Sequence, residues 1–555
     1  MNSERTRTRS TNGARRFALV GAVGVLVTVA LLAGSGVGSS AAATQRGQAA
    51  VPVALAKAIH ARLGAGAIRS SSAAAASVLP GPLLGLSVAL SSDGTTALVG
   101  APGVAAGKGA AYIFHASEAG SWSSTGTPVA TLTNKHGTAT ALFGLSVALS
   151  ADGTTAFVGA PFNGNFFAPA GAVYVFHASA EDAWHSASTP AATLKATGGV
   201  IVGFSVAVSS DGTTLLAGSP VSHGGAGGAY VFHVSSEGAW ASTSTPNAAL
   251  SKTGASSNEA AGQAVAISGD GTTALVDDSG NSSGGGAYLY HVVDASDWAS
   301  SSTPTAILSD SNSVKGDTLG IALALSADGT LAALGAPGTN DEAGSVDVFH
   351  SLSAAAWTTT SIPTATLTKA GGASGDVFGE TVAVAPDGAT VFTSAPGVNG
   401  KRGAGYIFHA LSEAAWLSSS TPTATLTDST AKARDGLGIG VFSNDGATAL
   451  IGVPGVNKTT GVAEVFHVES EGSWANSSTP KAILTNKALA ACVVPKLKGL
   501  KLRAAKNALA IGRCHLGRVT KVYAKPAKRG RVLSQSKRAG KRLAIGAKIN
   551  VKIGK

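Results

Sequence analysis

Two cysteines, Cys492 and Cys514, are all that the 555 residues contain, and both lie near the C-terminal end. A cysteine-dense scaffold and a multi-cysteine zinc module are therefore excluded. Beyond the first 43 residues no apolar run approaches the roughly 20 residues that cross a bilayer. Recognisable catalytic signatures are missing too. There is no His-Glu-x-x-His, no glycine-rich phosphate loop ahead of a helix, and no Gly-x-Ser-x-Gly on a strand-to-helix turn. The last stretch lacks acid altogether: residues 487–555 hold 20 Lys and Arg and no Asp or Glu. Its only aromatic is Tyr523, so stacking on nucleic-acid bases has almost nothing to work with. No nucleic-acid partner is expected.

What the chain does contain is one unit written seven times between about Leu83 and Asn486. Asp-Gly recurs at Asp93, Asp152, Asp211, Asp270, Asp328, Asp387 and Asp445, in steps of 59, 59, 59, 58, 59 and 58 residues. Each copy also has a His, a Trp seven residues later and a Pro six beyond that, from His115/Trp122/Pro128 to His467/Trp474/Pro480. All seven tryptophans belong to this cassette. A fixed long period is the mark of a repeat architecture.

In the second copy Leu145–Leu149 and Thr155–Val158 are short aliphatic runs around Asp152-Gly153, a hairpin pattern that predicts a type I′ turn. Gly159-Ala160-Pro161 ends the second run, because proline has no NH to donate. Gly171–Phe176 and Ala192–Leu194 supply a third and a fourth strand. Four antiparallel strands per unit describe a propeller blade, and seven blades close into a ring without exposed sheet edges. The fold class expected is mainly β: a seven-bladed β-propeller over residues 80–486.

Phe143-Gly144 followed by Gly159-Ala160-Pro161 resembles the FG-GAP repeat, the blade unit of the integrin α-subunit propeller. Leu84-Gly85 with Gly100-Ala101-Pro102, and Phe378-Gly379 with Ser394-Ala395-Pro396, repeat the pattern. The resemblance implies adhesion or recognition rather than catalysis. Copy four departs from it, with Asp277-Asp278-Ser279 in place of Gly-Ala-Pro.

Ahead of the repeats, residues 1–43 read as an export signal. Five arginines precede an apolar stretch from Phe17 to Ala33, and Ala41-Ala42-Ala43 offers a cleavage site. An uncleaved membrane anchor is the alternative, and only then is a membrane contact expected. Residues 44–79 read as an Ala- and Ser-rich linker. After the repeats, residues 487–555 resemble a PASTA domain, a small α+β module. The motifs are Val494-Pro495, Leu502-x-x-Ala505-x-x-x-Leu509, Gln535-Ser536 and the alternating Ile549-x-Val551-x-Ile553; Lys537 stands where the family has proline. The resemblance implies a helix packed on a small sheet and contact with peptidoglycan. An exported chain with two cysteines predicts a Cys492–Cys514 disulfide, the rival being a free reactive thiol without any accompanying His or acid pattern.

Charge divides the chain. Residues 80–486 hold 12 Lys and Arg against 29 Asp and Glu, a formal −17, beside the tail's +20. The basic tail suits peptidoglycan or an anionic wall polymer. The partner expected for the propeller is a protein or glycan, met on the face whose loops vary in length. Phe166 and Phe167, in the most unusual of those loops, are the candidate ligand-binding residues. The seven histidines sit one per blade, too far apart to converge on zinc, and the tryptophans suit blade packing. A hairpin with one carboxylate cannot supply calcium's six to eight oxygens. No cofactor, metal or catalytic residue is expected. The function expected is an exported surface or wall-associated binding protein, secreted or held at the cell wall; the alternative is a secreted propeller enzyme acting on an extracellular substrate such as a polysaccharide.

Overall fold

A computed structural model describes residues 81–555 except 139, 166–167, 198–200, 257–258, 526–527 and 545. The expected export signal or anchor and the linker, residues 1–79, lie outside the described residues, as do Phe166 and Phe167.

Seven four-stranded antiparallel sheets follow one another, each built from consecutive strands. Blade one is Ser87–Leu90, Thr96–Ala101, Ala110–His115 and Ala130–Leu132; blade two is Ser146–Leu149, Thr155–Ala160, Ala172–His177 and Ala192–Leu194. The strand bodies are aliphatic and buried on both faces, because each blade is covered by its two neighbours. The chain thus forms a seven-bladed β-propeller.

The Asp-Gly hairpins form, but not as type I′ turns. That turn needs positive φ at both central residues. In the structure only the glycine has it, as at Gly94 (+72°) and Gly153 (+70°). The Gly94 NH closes the turn onto the Ser91 carbonyl at 3.0 Å. The aspartate side chain explains the preference, and it acts even in blade six, where Ala385 replaces the serine and Asp387 accepts the Ala389 NH at 3.0 Å. Ser91 Oγ donates to Asp93 Oδ1 at 2.6 Å, and Asp93 in turn accepts the Thr95 NH at 3.0 Å. The aspartate side chain fastens the loop in a geometry that leaves its own φ negative.

Phe-Gly and Gly-Ala-Pro meet across the blade seams. Gly144 has φ +86°, and its carbonyl accepts Ser87 Oγ of the preceding blade at 3.0 Å. A Cβ on Gly100 would stand 2.2 Å from that carbonyl oxygen, so glycine is needed there by space. In blade four, the deviant copy, Asp277 takes the place of the first Gly of Gly-Ala-Pro and accepts, within its own blade, the NH groups of Gly262 at 2.6 Å and Ala264 at 3.1 Å.

The ring closes without a swapped strand. The last residue of each fourth strand bridges to the following blade, from Leu132–Ala187 round to Leu484–Thr125. Leu84 NH donates to the Thr460 carbonyl at 3.0 Å, and Thr485 NH to Thr125 at 2.9 Å. On the axis the hairpin tips bond to one another, Ser92 to Ala151, Ala151 to Ser210 and onward, until Pro386 leaves one gap for want of an NH.

The tail has its own core of Cys492, Val494, Leu497, Ala505, Leu509, Cys514, Val532, Ile549, Val551 and Ile553. Helix Leu502–Ile511 packs on a three-stranded sheet ordered His515–Val522, Lys548–Gly554, Val532–Gln535. Cys492 and Cys514 form the expected disulfide. Among the described residues no helix is long and apolar enough to cross a membrane.

Candidate functional site

The repeated His, Trp and Asp are brought together within each blade, as structural ties. Every tryptophan is buried, and its Nε1 donates to the carbonyl of the hairpin glycine of its own blade at 2.7–2.9 Å. Six histidines pair Nδ1 with the threonine that opens the second strand, as in Thr96–His115 at 2.8 Å and Thr214–His233 at 2.9 Å. Blade five has Leu331 in the threonine's place, and His350 turns its Nε2 to Glu413 at 3.5 Å. One cassette thereby ties strand two, strand three and the hairpin.

Antiparallel order sorts the connections onto two faces. The hairpins and the links from third to fourth strand share one face; the links from second to third strand and from blade to blade share the other. Length varies only on the second face, where Gly164–Asn165 pairs with Ala168–Pro169 as a miniature hairpin.

That second face also holds carboxyl groups which sequence reasoning missed. The residue three places before the cassette histidine is tyrosine in blade one (Tyr112), two, three, four and six, but Asp347 in blade five and Glu464 in blade seven. Asp347 is buried and accepts Thr366 Oγ1 at 2.9 Å. Burial pushes its carboxyl up to about 7, with Asp310 and Asp317 of the overlying loop adding repulsion. Glu464 is 1% exposed, and its Oε2 has no hydrogen-bond partner. Burial, then Asp428 and Asp435, raise it to about 8. Aligning the third strands would have exposed both substitutions. Among the described residues no three His, Cys, Asp or Glu side chains converge as a metal site. The richer loop Asp310–Asp317 uses its carboxylates on its own backbone, Asp310 accepting the Asn312 NH and Asp317 the Val314 NH.

The first strands line the channel with Ser, Val, Ala, Leu and Ile, plus Gly440 and Phe442 in blade seven, and carry no Asp or Glu. At their approach stand Leu86, Leu145, Phe204, Gln263, Ile321 and Glu380, one carboxylate among mostly apolar residues. The tail's sheet presents Lys548, Asn550 and Lys552 on its central strand, with His515 and Thr520 alongside in register. Arg503 and Lys506 are exposed on the helix.

Two family models match the chain. Residues 127–176, from the fourth strand of blade one through the third strand of blade two, match the FG-GAP repeat, and residues 493–555 match the PASTA domain. The chain thus joins an FG-GAP-type propeller to a C-terminal PASTA domain. That pairing indicates an extracellular or cell-wall-associated propeller protein. No curated protein matches the chain. Among solved structures it is similar to the hydrazine synthase of Kuenenia stuttgartiensis, at 12% identity and a TM-score of 0.43 over 72% of this chain and 99% of that one. So distant a likeness says nothing of function, and the propeller assignment rests on the seven sheets themselves.

Proposed function

We propose that this is an exported wall-attached binding protein: the PASTA domain holds peptidoglycan or an anionic wall polymer, and the propeller presents a face to a protein or glycan ligand. The observation that carries the reading is the charge division, 20 Lys and Arg without one acid on a PASTA domain beside a propeller of formal charge −17. A binding role, not a catalytic one, is supported by the repeated His, Trp and Asp, all engaged in holding the blades. It is supported again by first strands free of carboxylates.

Co-sedimentation with purified cell-wall sacculi tests the attachment. The full chain should pellet at low salt and release as salt rises, since about 10 Å of screening length at 0.1 M shrinks to about 3 Å at 1 M. Lys548→Gln with Lys552→Gln should weaken pelleting at low salt. Pelleting that ignores both salt and these replacements would move the wall contact to the propeller.

A further inference from the structure

The two propeller faces differ sharply in charge. The hairpins and the third-to-fourth links carry 16 of the 29 acids of residues 80–486 and one of its 12 basic residues, Lys481. The rest of the propeller holds 13 acids and 11 basic residues, close to balance. All seven hairpin aspartates are exposed. The acidity of the propeller is therefore almost wholly a property of one face.

That same face has an aliphatic arc. The residue two places after the cassette histidine is Ser117, Ser179 and Ser235 in blades one to three and Glu469 in blade seven. In the three neighbouring blades between, it is Val293, Leu352 and Leu411, which are 90%, 93% and 97% exposed. Ile362, where other copies have threonine, and Leu417 add two more exposed side chains in blades five and six. Five large aliphatic groups left in water on consecutive blades mark a contact surface. Asp294 and Asp297 stand among them, exposed. The partner that fits is a basic body with an exposed apolar group.

The chain itself contains such a body. The tail has 20 positive charges, and Tyr523 on it is 90% exposed between the exposed Lys521 and Lys525. The tail cannot fold back onto the arc of its own propeller. It leaves from the end of the last fourth strand beside blades seven and one, across the ring from the arc, and is clamped at once by Lys487 NH donating to the Gly126 carbonyl of blade one at 2.9 Å. Its Arg513 is near enough to Tyr112 of blade one for the two to interact electrostatically, again away from blades four to six.

We propose that the acidic hairpin face, through the arc on blades four to six, docks the basic PASTA domain of a second copy of this chain. Face and tail are different surfaces on opposite sides of one molecule, so the contact is head-to-tail and propagates into open chains instead of closing as a dimer. This association goes beyond wall attachment and uses a face that the wall contact does not need.

Sedimentation velocity of the mature full-length protein, in 50 mM and 500 mM NaCl over a concentration series, tests it. The expected result is mass that grows with concentration at low salt and a monomer at high salt. Leu352→Ser with Leu411→Ser should weaken association about tenfold per leucine, the worth of a buried aliphatic side chain. Both residues are exposed, so an unchanged melting curve confirms that the fold is intact. A second pair of variants decides the polarity. The face variant and a tail variant, Lys521→Glu with Tyr523→Ser and Lys525→Glu, should each stay monomeric alone but form a one-to-one complex when mixed. A monomer at low salt at every concentration, or no complex in the mixture, overturns the proposal.

Discussion

The propeller and the tail reach stability by opposite routes. The ring has no cross-link, and its blades are tied by a recurring small set of hydrogen bonds, Trp to glycine carbonyl in all seven, His to Thr and Asp to Ser in six each, then covered on both sides by neighbours. The tail, with about ten core residues and no neighbour on most sides, has one disulfide across its helix. Repetition lets a long chain hold together with weak identical ties, whereas a short chain at the margin of a viable core needs a covalent one.

The largest way to break that contrast is inside a blade. Trp357→Ala removes a buried indole and leaves the Gly329 carbonyl without its donor at 2.7 Å. The expected loss is about 3–5 kcal/mol, the range for emptying a large aromatic site in a core. Because blade five is a link in a closed ring, the whole propeller transition should shift in calorimetry while the tail's does not. A shift confined to part of the propeller transition would mean that the blades melt one by one.

Next in size is the tail's covalent tie. Reduction, or Cys492→Ala with Cys514→Ala, should cost about 3 kcal/mol for a loop of this length. For a domain this small such a loss is most of its stability. Amide NMR signals of residues 493–555 should collapse toward the unfolded range with reductant, and the propeller transition should stay in place. Tail signals that persist unchanged would show that its apolar core is sufficient.

The outlines of both regions were legible in the chain, and for the same physical reason. A blade must present the same ties at the same places to stack on its copies, so His, Trp and Pro keep a fixed spacing and the period stands out. The alternation of Ile549, Val551 and Ile553 likewise announced a strand buried on one side, and all three are buried. The turn type was not legible, because Asp-Gly suits both a type I′ turn and the loop fastened by the aspartate side chain, which forms in blade six even with Ala385 in the serine's place. The buried carboxyls were hidden for another reason. Asp347 and Glu464 look like ordinary surface acids until the third strands are laid in register and their places prove to be those of tyrosine. Face polarity was countable in advance but had no meaning before the connections were sorted onto two sides.

The smallest expected effect separates the regions by pH. Glu464, Asp347 and Glu471 have carboxyls raised in the fold to about 8, about 7 and about 7, chiefly by burial. A raised carboxyl favours the protonated fold, so its contribution is complete below about 4, the unfolded value, and disappears as pH climbs through the folded value. Asp93, Asp152, Asp211 and Asp328 act in the opposite sense. Burial works against them, but hydrogen bonds from the hairpin Ser and Thr hold them below the ordinary range, and their contribution is lost as pH falls through that range. The two sets leave the propeller most stable in mildly acidic solution, between about 4 and 6, with a decline toward pH 8. Glu464→Gln keeps the shape of the side chain without the ionisation, and should flatten that decline in thermal melts taken from pH 5 to pH 8. The tail has no Asp or Glu and therefore no such curve. If the tail's transition follows the propeller's across pH, the two are one cooperative unit.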